Sequence, residues 1–134
     1  MPHLTIFYTP DLETLTDMSG LCRRLADTML TVRDESGAPV FPPGGVRVLA
    51  YPATHAAVAD GKRDYSFVYL HLRMGRGRSD GVTKQAGDAL SEVARAHFAT
   101  LFETRHVGLT FQIDEGAEVY DAKHSTIHPL FAKP

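Results

Sequence analysis

The chain is short of the features that would place it at a glance. It has one cysteine, Cys22, in 134 residues. A single cysteine excludes an intramolecular disulfide and suits a reducing compartment. No apolar run is long enough to cross a bilayer, so no membrane partner is expected. Neither sign of charge dominates: 14 Lys and Arg stand against 16 Asp and Glu, a net charge of −2. Without a basic surplus, nucleic acid is not an expected partner either. The first residues show no basic stretch running into an apolar one, as a secretory signal would. A cytoplasmic protein is the expectation. Hydrophobic residues at 43% and charged residues at 22% are ordinary for a globular fold. The length suits one compact domain, 1–134, with a core that needs no staples.

Four segments read as strands. They are Pro2 to Tyr8, Val46 to Tyr51, Tyr65 to Met74, and Val107 to Ile113. In the last, Val107, Leu109, Phe111 and Ile113 alternate with smaller or polar residues, as a strand between two different faces would. Two segments read as helices. In one, Val82, Ala86, Ala89, Leu90, Val93, Ala94, His97, Leu101 and Phe102 recur at helical spacing, with Ser79 or Asp80 as the cap. In the other, Leu21, Cys22, Leu25, Met29 and Val32 make one stripe. Gly20 weakens the turn before that stripe, although residues 11–18 are also compatible with a helix. Proline and glycine between 37 and 45 mark a loop.

The order is strand–helix–strand, twice. That predicts an α+β fold of duplicated βαβ units, with halves at about 2–52 and 64–114 and a C-terminal tail at 115–134. Right-handed crossovers put both helices on one face of a four-stranded sheet. On the other face Phe67, Tyr69, Leu109 and Phe111 are expected together. They are too large to leave wet, so oligomerisation should cover them.

Pro2 is the first candidate for chemistry. If Met1 is removed, a free secondary amine heads a strand. An ordinary α-amino group titrates near pH ~8, and burial or nearby cations push it lower. The turn Gly75-Arg76-Gly77-Arg78-Ser79 joins a strand to a helix. Its spacing fits neither a dinucleotide fingerprint nor a P-loop. It reads as a small-carboxylate site gripped by Arg78, or as a solvated basic turn. Arg47 lies in an apolar strand, where a charge either faces solvent or is held for a purpose. Arg73 is a similar, weaker case. Seven histidines show no metal-ligand pairing on a predicted helix or strand; His124 and His128 are four apart where no helix is expected.

Taken together, Pro2 at a strand start, the duplicated βαβ order and the Gly-x-Gly-Arg-Ser turn resemble the tautomerase superfamily. The chain is most similar to its 5-carboxymethyl-2-hydroxymuconate Δ-isomerases. The similarity runs through Asp64 to Val68 into Gly75 to Ser79, His97 through Arg105, Thr110 to Ile113, and the tail from Lys123 to Phe131. It implies a homotrimer packed through its sheets, with no cofactor and no metal. It implies Pro2 as the proton shuttle, with Arg47 and Arg78 as catalytic and substrate-binding arginines. The substrate class it implies is a small unsaturated carboxylic acid. Alternatives are a different unsaturated acid, or a non-catalytic trimeric module that binds small acids. The chain departs from the family pattern in a longer loop at 34–43 and in Leu49, where a second arginine stands in the pattern.

Overall fold

The computed structural model describes residues 2–131. The question of Met1 and the last three residues of the tail lie outside them. Strand β1 (His3–Tyr8) is followed by the short helix α1 (Leu12–Leu15) and by α2 (Met18–Thr31). A 3₁₀ turn at Pro43–Gly45 leads into β2 (Arg47–Pro52). Then come β3 (Tyr65–Gly75), α3 (Asp80–His97), α4 (Ala99–Thr104) and β4 (His106–Gly116). A second 3₁₀ turn, His128–Phe131, closes the described tail.

The four strands form one mixed sheet in the order β2-β1-β3-β4. β1 pairs parallel with β2, β3 pairs parallel with β4, and β1 and β3 run antiparallel at the centre. Each parallel pair is bridged by a helix, as two βαβ units require. Leu4, Ile6, Val68, Leu70 and Leu72 are buried together with Leu21, Leu25 and Met29 of α2 and Val82, Ala86, Leu90 and Ala94 of α3. Both long helices therefore cover the same face. Burying each of the larger side chains contributes about 1.5–3 kcal/mol relative to exposure.

Register corrects the expected make-up of the open face. Val68 pairs with Leu109, and Leu70 with Phe111. Leu109, Phe111 and Ile113 thus join the helix-covered core. Alternation in β4 separates two sets of residues but does not say which set faces the helices. The open face carries Phe67 and Tyr69 on β3, but its more exposed apolar residues are Phe7 of β1 and Leu49 and Tyr51 of β2. The rings of Phe7 and Tyr51 stack with centroids 5.8 Å apart. Towards β4 the same face turns polar: Tyr69 donates to Gln112 (2.7 Å), and His71 meets Asp114 (2.6 Å).

The helix expected to run from Val82 to Phe102 is two helices. Phe98, fully buried, stands between them at φ −95°, ψ 7°. That backbone lies outside the helical well and ends α3 at His97. The Ser79 side chain caps α3 by accepting from the Val82 amide at 3.2 Å. Gly20 does not interrupt α2. Asp17 caps that helix through the Gly20 amide (3.0 Å), so the glycine sits inside its first turn.

Candidate active site

β1 is central, so its first residue has a strand on each side. His3 pairs with Arg47 at the head of β2 and with Arg73 near the end of β3. Pro2, one residue earlier, is buried at this end of the sheet. The turn after β3 leaves from the same end and carries Arg78 three residues beyond Gly75. Topology alone therefore gathers Pro2, Arg47 and Arg78 at one end of the sheet.

The two arginines are held by carbonyls. The Arg47 Nη1 donates to the Gly44 carbonyl (2.6 Å) and to its neighbour Val46 (3.0 Å). Arg78 donates from Nη1 to Gly75 and from Nη2 to Val40, both at 2.9 Å. Its guanidinium also lies over the ring of Phe41. Neither arginine has a carboxylate partner among the described residues. Guanidiniums fixed by neutral groups keep their full charge for a ligand. Gly77 allows this turn by taking φ +114°, a conformation costly for any residue with a Cβ.

The electrostatic consequence is visible next door. Burial lowers the pKa of the His3 imidazole, and surrounding positive charge, including Arg47 and Arg73, lowers it further. Arg73 belongs to this field rather than to any ion pair among the described residues. Its guanidinium fills the space where a side chain on Gly116 would stand.

The chain also builds walls around Arg47. One cleft of about 370 Å³ is lined by Arg47 and by residues 122–127 of the tail. A second, of about 590 Å³, is lined by Arg47, Leu49, Cys22, Ile127 and Phe131 among others. The tail reaches this place because Gly44 lets it. A Cβ at Gly44 would stand 2.8 Å from the His128 Cα, closer than packed atoms allow. Neither cleft is lined by Pro2 or Arg78.

Two contributors escaped the sequence. Val40 and Phe41 sat in a stretch marked only as loop, yet both are buried and both support Arg78. The signal was there: two adjacent large apolar residues between prolines need cover. The tail wall of the Arg47 clefts had no local signal, since it depends on where the tail docks.

Solved structures now bear on this arrangement. Two trimers described as fused 4-OT share the fold at 17% and 14% identity, with TM-scores of 0.59 and 0.58, covering 98% and 95% of this chain and 99% and 98% of theirs. The architecture is thus of the tautomerase-like class. Residues 2–131 match the family model described as 5-carboxymethyl-2-hydroxymuconate isomerase, and the chain belongs to this family of isomerases. A 5-carboxymethyl-2-hydroxymuconate Delta-isomerase of Escherichia coli is 31% identical over 98% of this chain and 99% of its own. A crystal structure of a 5-carboxymethyl-2-hydroxymuconate delta-isomerase is 56% identical, with a TM-score of 0.95 over 100% of this chain and 95% of that one. Another, from Deinococcus radiodurans R1, is 36% identical, with a TM-score of 0.87 over 98% and 95%.

Proposed function

We propose that this chain isomerises 5-carboxymethyl-2-hydroxymuconate in the degradation of aromatic compounds by way of homoprotocatechuate, without a cofactor. With Met1 removed, neutral Pro2 is the general base. It takes the proton of the substrate's 2-hydroxyl. The oxygen's electron pair forms the carbonyl, the conjugated double bonds shift, and prolinium returns a proton at a distant carbon. No atom is gained or lost. Arg47 and Arg78 bind carboxylates and stabilise the dienolate. A base of this kind works best with a pKa near the working pH. The Arg47 and Arg73 charges, which add to burial in lowering His3 one residue away, support a lowered prolinium pKa as well. The observation that carries the reading is the meeting of the β1 head, the β2 head and the Arg78 turn at one end of the sheet.

The working unit in this reading is a cytoplasmic homotrimer whose neighbouring subunit completes the pocket. Support comes from the partly exposed Phe7, Leu49 and Tyr51 on the open face. The second reading is a different unsaturated acid. Leu49, apolar and lining the larger Arg47 cleft, supports it.

The experiment follows the ultraviolet absorbance of the 2-hydroxymuconate dienol with protein whose mass shows Met1 is absent. Saturable loss of the dienol signal, abolished in Pro2→Ala and retained in Arg95→Ala, supports the proposal. Normal turnover by Pro2→Ala sinks the proline mechanism. No turnover of this or related dienols, with small-acid binding retained, means a binding module.

A further inference from the structure

A second charged cavity lies at the opposite end of the sheet from Pro2. It has a volume of about 540 Å³, within the usual range for small-molecule sites. Its walls come from the segment after β1 (Thr9 and Asp11), the loop after β2 (Ala57 and Val58), the head of β3 and the residue before β4, Arg105. Four charged side chains line it: Arg63 and Arg105 against Asp11 and Asp64. None of them belongs to the isomerase site proposed above.

The Asp11–Arg105 pair is incomplete. Asp11 Oδ2 stands 3.9 Å from Arg105 Nη2, too far for a hydrogen bond. Asp11 Oδ1 and Arg105 Nε are each buried and have no hydrogen-bond partner among the described residues. Both side chains are still about one-third exposed, 36% and 33%. Arg105 can therefore turn toward the cavity without breaking a side-chain hydrogen bond. Asp11 is fixed from the other side, where Ser66 donates to Oδ2. Burial alone would raise the Asp11 carboxyl, but hydrogen bonding, the Ser66 hydroxyl foremost, outweighs it and holds the group below its ordinary value. Asp11 is thus an anion at neutral pH.

Those two atoms are closed to solvent, but the rest of each side chain lines the cavity, so Asp11 offers it negative charge and Arg105 positive charge. The lining charges cancel, which favours a ligand with no net charge over a dianion. Ala57 and Val58 offer an apolar wall. We propose that this cavity binds a small zwitterionic α-amino acid, its carboxylate on Arg105 and Arg63, its ammonium on Asp11, and its apolar side chain against Ala57 and Val58. The site is separate from the isomerisation chemistry and stands or falls without it.

The test is a titration of the assembled protein with L-leucine, followed by amide chemical shifts. Saturable shifts should centre on Thr9, Asp11, Tyr65 and Arg105. The deaminated analogue 4-methylpentanoate should bind at least ~10-fold more weakly, because it has no ammonium for the Asp11 carboxylate. Asp11→Asn should weaken leucine at least ~10-fold, and the exposed-site variant Arg63→Ala by ~3-fold or more. Arg63→Ala keeps the test open if Asp11→Asn fails to fold. Absence of saturable shifts up to ~10 mM leucine overturns the proposal. Equal binding of the two ligands, shifts centred on Arg47, or unchanged affinity in Arg63→Ala would overturn it too.

Discussion

The Arg78 guanidinium lies over the ring of Phe41, its central carbon 5.7 Å from the ring centroid. The contact joins two distant pieces of chain, the loop at 34–43 and the turn after β3. Around it, Val40 accepts from the same guanidinium, and Ser79 donates to Glu35. The loop at 34–43 is thus the clamp on Arg78.

Phe41→Leu should therefore raise KM for an acidic substrate more than it lowers kcat. A cation–π contact contributes about 0.5–2 kcal/mol, so a loss of ~2- to 30-fold in kcat/KM is expected. Phe41 is also a core residue, and the smaller side chain should lower Tm. Leu90→Ala supplies the control. It disturbs the core under α3 and should lower Tm while leaving KM unchanged. Equal KM effects in the two variants would mean that stability, not Arg78, was disturbed.

Arg47→Gln tests the field at Pro2. Removing a positive charge favours prolinium, so the base would hold its proton to higher pH. The acid limb of kcat/KM against pH should move upward by about half a unit or more. Affinity should also fall, by ~10-fold or more, through the lost charge-assisted hydrogen bonds. An acid limb that stays in place or moves to lower pH would separate Arg47 from the titrating group.

The pattern of strands and helices was legible because each period is a local property. β3 and β4 were found within three residues at every end, and the parallel pairs followed from the repeated order. What was not legible depends on register or on distant docking. Leu109 and Phe111 could be assigned to alternate positions but not to a face, because one residue of slip exchanges the faces. The end of α3 at His97 depends on Phe98 being drawn into the core. At the candidate site, Pro2, Arg47 and Arg78 were marked by the family resemblance, since from residue type alone the two arginines read equally as solvated. Val40, Phe41 and the tail were not marked as site residues, since their part is to hold Arg78 and to wall Arg47.

His97 predicts a dependence of stability on pH. Its ring is held between Thr16, 2.8 Å from Nε2, and Arg24 at Nδ1. Arg24 donates, so Nδ1 accepts and the ring is neutral. Burial lowers the His97 pKa, and the Arg24 charge lowers it further, against a smaller opposing effect of Asp17. A folded pKa below the unfolded one stabilises the fold above the unfolded value, near 6.5, and the stabilisation is lost as pH falls through the folded value. The urea midpoint should fall between pH 7.5 and 5 by more in the parent protein than in His97→Gln, which cannot take up the proton. Parallel curves for the two proteins would remove His97 from the acid response.

The open face predicts assembly, and its most exposed apolar residues predict where. Phe7 on β1 and Tyr51 on β2 are paired in register, stacked, and each about half exposed at 51% and 48%. Leu49, 49% exposed, lies on the same face two residues before Tyr51. Such a cluster on a sheet face with no helix over it is unfavourable in water. Covering what remains exposed is worth on the order of 1 kcal/mol per side chain, repeated in every copy of a ring. Phe7→Asp places a charge in that cluster but leaves the helix-covered core untouched. Its circular dichroism should match the parent, while light scattering should show the mass of one chain instead of three. Because Arg47 stands at the head of the same strand as Tyr51, isomerase activity should fall with the assembly. A Phe7→Asp protein that keeps the parent mass would move the interface elsewhere. A parent protein that is already a single chain would show that this face stays open, and the completed pocket would then have to be found within one protomer.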